Sequence, residues 1–258
     1  MRIEKKENNC EKNEKKLLNL NFYQLHPEYI PFIGDNYEEY KILHIGESHY
    51  LDQKRDSSAD KYPITYFDKW WYDPCHELLR DFDGWYNTRD VITNYLNGYR
   101  HKGHGIFSET IKVFDKIYIG RDNVQMNYEE SQNYHYFAFM NFFQMPALYN
   151  GMKYWNSLLL SADKIGNRQL AYDMYEKAAQ VSSKVLDEVI AILKPAVVIF
   201  TSDSAKYAYN KYGKYHSAEF VINSTHPGCP WWNRPMRKFS GLTGKQELER
   251  QLLALKNK

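Results

Sequence analysis

The sequence predicts an α/β protein built on a mainly parallel, four-stranded central sheet. Three observations carry that expectation. Four short runs, "KILHIG" (41–46), "YFAFMNF" (136–142), "PAVVIFT" (195–201) and "EFVINSTHP" (219–227), are continuously apolar rather than alternating, as strands covered on both faces are. Segments with helical spacing lie between and after them, and alternation of the two types marks an α/β architecture. No internal repeat, Gly/Ser linker or sharp change of composition divides the chain, so one domain is expected.

The first 16 residues, "MRIEKKENNCEKNEKK", are charged and almost free of apolar side chains, and read as a flexible tail; residues 17–258 read as the folded domain. The run 41–46 stops at Gly46, and four reactive side chains follow in a row: Glu47, Ser48, His49 and Tyr50. Residues 167–194, "NRQLAYDMYEKAAQVSSKVLDEVIAILK", carry apolar side chains at helical spacing and stop at Lys-Pro. Residues 202–213, "SDSAKYAYNKYG", form a second helix, with Ser and Asp in front and Gly behind. "GKQELERQLLALKNK" (244–258) closes the chain as an amphipathic helix.

A chain of 258 residues buries a sizeable core, and 43% hydrophobic residues exclude wholesale disorder. The 34 basic and 32 acidic residues leave a net charge of +2, so a polyanion is bound through a local patch if at all. Cys10, Cys75 and Cys229 are too scattered for a disulfide framework or a metal knuckle. No run of 18 apolar residues and no signal-peptide core is present, which predicts a soluble cytoplasmic protein with no membrane partner.

In a mainly parallel sheet, ligands bind beyond the carboxyl ends of the strands. Each such end here is polar: Glu47-Ser48-His49 after the first, Asn141 in the second, Ser202-Asp203 after the third, and Asn223 to His226 in the fourth. The expectation is one cleft lined by four strand ends.

These patches occur in a telling order: a Gly-Glu turn after the first strand, an Asn ending a later one ("FMNFFQMP"), a "KPAVVIFTSDSA" strand-turn-helix, and a near-terminal "STHPGCP". The order resembles the uracil-DNA glycosylase superfamily over roughly residues 41 to 240. That resemblance implies a three-layer α/β/α sandwich, a glycosidic-bond hydrolase acting on uracil or a related altered base in DNA, no cofactor, and a monomer. The departures are specific. The family's His-Pro-Ser loop is "HPG" here, Pro is usual where His49 stands, and the best-studied branch has Asp where Ser48 stands. The interval before Asn141 is longer than in compact members, which implies an insertion around residues 85–130. Three cysteines do not make the four-Cys iron–sulfur site of some branches.

Base excision passes through an oxocarbenium-like sugar while negative charge collects on the leaving base, so fixed donors over that base dominate catalysis. The resemblance implies that donor in His226, and it implies water handling in the first motif, by Glu47 or His49, with Ser48 a poor base. The carboxamide of Asn141 offers a donor and an acceptor together, matching the imide edge of uracil. An aromatic floor is expected from "YPITYFDKWW" (62–71), with Phe67 preferred over Tyr66, and Tyr50 is a further base-binding candidate. Acting on a base in a duplex also needs extrusion and a wedge. "PGCPWWNRPMRK" supplies Trp231 and Trp232, then Arg234, Arg237 and Lys238. Ser202 and Ser204 open a helix whose free N–H groups favour a phosphate, and both read equally as ordinary helix caps.

Other patterns carry less. "GLTGK" (241–245) lacks the glycine spacing and the preceding strand of a phosphate loop, and "HKGHG" (101–105) is at most half a metal site. "IGESH" resembles the Gly-Glu-x-x-His strand end of erythromycin-esterase-like hydrolases, but His49 comes one residue early. A third reading is a glycosylase-type domain that has lost catalysis and binds nucleic acid or a nucleotide.

Overall fold

The computed structural model describes residues 9–74, 77–78, 87–99, 102–121 and 131–258. Residues 1–8 of the expected tail, Cys75, His101, and residues 85–86, 100–101 and 122–130 of the expected insertion lie outside them. Five strands form one sheet: β1 (Phe32–Ile33), β2 (Ile42–Gly46), β3 (Phe137–Asn141), β4 (Val197–Phe200) and β5 (Val221–Asn223). Their order is β1-β3-β2-β4-β5. β2 runs parallel to β3 and β4, β4 runs parallel to β5, and β1 is antiparallel on the edge beside β3. The chain is thus α/β with a mostly parallel sheet, and the sheet has five strands where four were expected.

The extra strand is two residues long, too short to leave a period in the sequence. Long-range pairing makes it: Phe32 sits opposite Phe139 and Ile33 opposite Ala138. The next residue, Gly34, donates its N–H to the Phe137 carbonyl at 2.9 Å. A side chain there would put Cβ 2.1 Å from the His135 carbonyl oxygen, so the close approach requires glycine. The fourth expected run contracts to 221–223, because Ser224 onward leaves the sheet as a loop.

Among the described residues the α-helices are α1 (Asn9–Leu18), α2 (Asn21–Leu25), α3 (Tyr37–Tyr40), α4 (Thr88–Leu96), α5 (Gly105–Phe114), α6 (Tyr154–Lys164), α7 (Arg168–Leu193), α8 (Asp203–Tyr212) and α9 (Gly244–Lys256). The period of two divides the strands between two apolar clusters. Leu43, Ile45, Ala138, Met140, Val198 and Phe200 pack with residues of α6, α7 and α8. Ile42, Phe137, Phe139, Val197 and Ile199 pack with residues of α4, α5 and α9. Both faces are therefore covered, which is why the strands read as unbroken apolar runs.

Two stretches at the chain's periphery pack onto the rest of the fold. The described helices of the 85–130 stretch, α4 and α5, bring Ile92, Tyr95, Phe107 and Ile111 into the core cluster that holds Ile42 and Phe139. The charged N-terminal stretch is helical from Asn9. One buried side chain, Leu17, and the Glu14–Arg89 ion pair at 2.6 Å dock it, which is too little apolar signal to show in the sequence.

Helix boundaries follow local rules. Lys194 closes α7 in the left-handed region at φ 47°, a conformation compatible with the Pro195 that excludes the right-handed helix at Lys194. Lys41, at φ 51°, closes α3 in the same way. The amides of Ala196 and Val197 both donate to the Lys41 carbonyl, so β2 and β4 start in register. Thr243 and Gln246 form a reciprocal capping box at the start of α9. This box is the structural content of "GLTGK".

Candidate functional site

The register brings the carboxyl ends of the strands side by side. Gly46 pairs with Asn141, Ile45 with Phe200, and Phe200 with Asn223, so the loops that follow rise from neighbouring strands spaced by about 4.8 Å. Gly46 also determines where Asn141 points. A Cβ at position 46 would lie 2.3 Å from the Asn141 Oδ1, so the carboxamide lies across the glycine. Asn141 is half-buried, and its backbone carbonyl accepts from Gln144 Nε2 at 2.6 Å. No hydrogen bond from the described residues reaches its side-chain amide.

Glu47 bridges the starts of two helices. Its Oε1 accepts the N–H of Tyr154, the first residue of α6, at 2.8 Å. Its Oε2 accepts the hydroxyl of Ser202, the N-cap of α8, at 2.8 Å. Charge-assisted bonds of this kind are stronger than neutral ones, and a carboxylate at a helix start is favourably placed. The charge is felt nearby. Burial raises the phenol of Tyr50 to about 12, with Glu47 adding to it. Burial likewise raises Tyr175 to about 12, and Glu47 contributes there too.

His226 stands after β5, its ring reachable by solvent. Enough protein surrounds it that desolvation lowers its pKa below the ordinary 6.5, against the opposing pull of Glu47. The Gly228 N–H donates to His226 Nδ1 at 3.0 Å. The proton of the neutral ring is therefore on Nε2, which is left as a donor.

Beneath the site lies His44, fully buried in the middle of β2. The Thr201 hydroxyl donates to the Ile45 carbonyl at 3.1 Å, so it accepts from His44 Nε2 at 2.9 Å, and His44 Nδ1 accepts from the Tyr134 hydroxyl at 2.7 Å. Burial lowers His44 to about 3, with His226 adding to the effect. This neutral, fully bonded ring is a residue that sequence reasoning missed. Its signal was present: it is the polar side chain inside an otherwise apolar strand, and buried polar groups need partners.

The other expected site residues separate into two groups. Glu47, Asn141 and His226 stand at the ends of β2 and β3 and after β5, while Tyr50, partly buried against the apolar cluster, bridges to Ala147. Ser48 is 5% exposed, with its hydroxyl buried and unpaired among the described residues. His49 is buried, its Nε2 3.0 Å from the Thr88 hydroxyl and its ring edge-on to Tyr29. It belongs to the packing of α4 rather than to an open water site. Phe67 is fully buried against Tyr66 and Trp70, so the expected aromatic floor is core. Ser202 is 2% exposed and spends its hydroxyl on Glu47 and the Ala205 N–H, which removes it from the phosphate contacts. Ser204 is half-buried in the first turn of α8.

The tandem tryptophans part company. Trp231 is 50% exposed, whereas Trp232 is fully buried with its Nε1 donating to Glu109 at 2.9 Å. The wedge expectation therefore holds no place for Trp232. Arg234 and Arg237 are exposed, and Lys238 pairs with Asp203 at 2.6 Å. Among the described residues no group of three His, Cys, Asp or Glu side chains is arranged to hold a metal ion. Among the described residues no helix is long and apolar enough to cross a membrane.

No family model matches this chain, and no curated protein or solved structure matches it either.

Proposed function

We propose that this chain is a DNA glycosylase of the uracil-DNA glycosylase type, a three-layer α/β/α hydrolase that cleaves the N-glycosidic bond of uracil or a related altered base. One observation carries the reading: Glu47 follows β2 and Asn141 ends the neighbouring β3, while His226, in the loop after β5 two strands from β2, is near enough to feel the Glu47 charge, although the three are far apart in the chain. Each offers what the reaction asks for. Asn141 presents an uncommitted carboxamide to the base edge. Neutral His226 presents Nε2–H to the carbonyl on which negative charge develops, and a fixed neutral donor stabilises that charge without prior proton loss. Glu47 has an open lone pair on each oxygen beyond the two bonds it accepts, and it orients the attacking water. Exposed Trp231 with Arg234 flanks the cleft as the duplex-opening loop. The proposed substrate is DNA, and the proposed working form is a cytoplasmic monomer.

A second reading is a domain of the same type that binds nucleic acid without cleaving it. It is favoured by the buried, unpaired Ser48 hydroxyl, which replaces a water-facing carboxylate. Single- and double-stranded oligonucleotides carrying uracil, hypoxanthine or xanthine, followed by alkaline cleavage of abasic sites, separate the two. The glycosylase reading expects strand breaks that His226→Ala reduces by about 10²-fold or more. Binding without breaks selects the second reading.

A further inference from the structure

Of the two readings of Ser202, phosphate contact or helix cap, its surroundings leave room only for the cap. The side chain is 2% exposed, and both functions of its hydroxyl are assigned by geometry. Its oxygen accepts the Ala205 N–H at 3.2 Å, as an N-cap does, so the lone hydroxyl proton is directed at Glu47 Oε2 at 2.8 Å. The Tyr154 N–H takes the other carboxylate oxygen at 2.8 Å. Tyr154 is itself locked, its ring stacked on Phe143 at 3.9 Å with an interplanar angle of 8°. Two donors from the starts of two helices therefore fix the plane of the carboxylate, and only its remaining lone pairs can address a ligand.

We infer that Ser202 is a positioning residue for Glu47: together with the Tyr154 amide it sets the orientation in which the carboxylate faces the cleft. As far as turnover is concerned, this rests on the glycosylase reading; the hydrogen-bond assignment does not. A rotation of the carboxylate by one lost donor displaces the bound water, and small misplacements of this kind are costly in rate while leaving substrate affinity nearly untouched.

The test uses the full chain and uracil-containing oligonucleotide. Ser202→Ala is expected to lower kcat about tenfold with KM within about twofold, and Ser202→Thr, which keeps the hydroxyl, to restore most of the loss. In a Glu47→Gln background Ser202→Ala is expected to add nothing, because the residue acts through Glu47. A rise in KM with unchanged kcat overturns the proposal in favour of a substrate contact. An equal loss in both backgrounds overturns it in favour of general structural damage. If Ser202→Ala does not fold, Ser202→Cys keeps the size and weakens the donor.

A second readout needs no turnover. In 15N-labelled protein the Tyr154 amide resonance reports on the Glu47 carboxylate to which it donates, and Glu47→Gln is expected to move it. Ser202→Ala is expected to move the resonance, and Ser202→Thr to leave it in place. No movement in either variant overturns the assignment of Ser202. Absence of strand breaks from the wild type, with the resonance moving as expected, overturns the glycosylase reading alone.

Discussion

Trp231 and Trp232 are neighbours of the same type with opposite fates. Burial of Trp232 depends on Glu109, 123 residues earlier in the chain, and on the apolar cluster that it joins. Trp232→Ala is expected to cost about 4 kcal/mol through the cavity and the orphaned Glu109 bond. Trp231→Ala is expected to stay within about 0.5 kcal/mol of wild type. Urea denaturation of the two variants measures this, and equal losses would contradict the burial difference. On the glycosylase reading Trp231→Ala also weakens binding to duplex oligonucleotide, whereas Trp232→Ala does so only as it unfolds the protein. The same lesson holds at residues 47–50. Their residue types announce chemistry, but Glu47 and Tyr50 border the site while Ser48 and His49 are buried. A sequence orders side chains along the backbone and does not show which of them a loop turns inward.

At the scale of elements, the site depends on strands ending level with one another. β2 terminates in a glycine that is needed for more than a turn, because the Asn141 carboxamide occupies the space of the missing side chain. Gly46→Ala is expected to displace that flexible carboxamide while the sheet persists. On the glycosylase reading the result is a loss of about tenfold or more in kcat/KM on uracil-containing oligonucleotide, with an unchanged circular dichroism spectrum. Full activity in this variant would show that Asn141 does not read the base. The parallel strands were legible in advance because each is covered on both faces and so reads as a continuous apolar run. β1 was not, since two residues carry no period and its pairing with β3 is made by chain more than 100 positions away. α4 and α5 were underestimated for a related reason: that the stretch forms core against Ile42 and Phe139 is a tertiary fact.

For the whole molecule, the buried His44 links folding to pH. Its pKa is about 3 when folded, against an ordinary value of 6.5. Between those values the unfolded chain takes up a proton that the folded chain refuses. This contribution to stability is therefore fully present above 6.5 and lost as pH falls toward about 3, by about 1.4 kcal/mol per pH unit. His226, lowered in the same direction, adds to the trend. Urea midpoints between about pH 6 and pH 4 are expected to fall more steeply for wild type than for His44→Gln. Equal slopes would mean that His44 is not the group responsible. Near neutrality both rings are uncharged, the state in which His226 serves as a donor through Nε2–H. On the glycosylase reading, the net charge of +2 leaves DNA binding to local groups such as Arg234 and Arg237 rather than to the field of the whole protein.

The class of architecture was legible in the chain alone, because helical and buried-strand periods are local properties. The same holds for the places where polarity interrupts those periods, at the carboxyl ends of the strands. Tertiary packing separated the polar groups that keep free atoms at the strand ends from those committed to the fold. Glu47, Asn141 and His226 were candidates in common with Ser48, His49, Phe67, Ser202 and Trp232 until packing separated them. The physical reason is that a side chain's role follows from what remains unpaired after the chain has closed. That remainder depends on partners such as Tyr154, Thr88 and Glu109, which arrive from 107, 39 and 123 residues away.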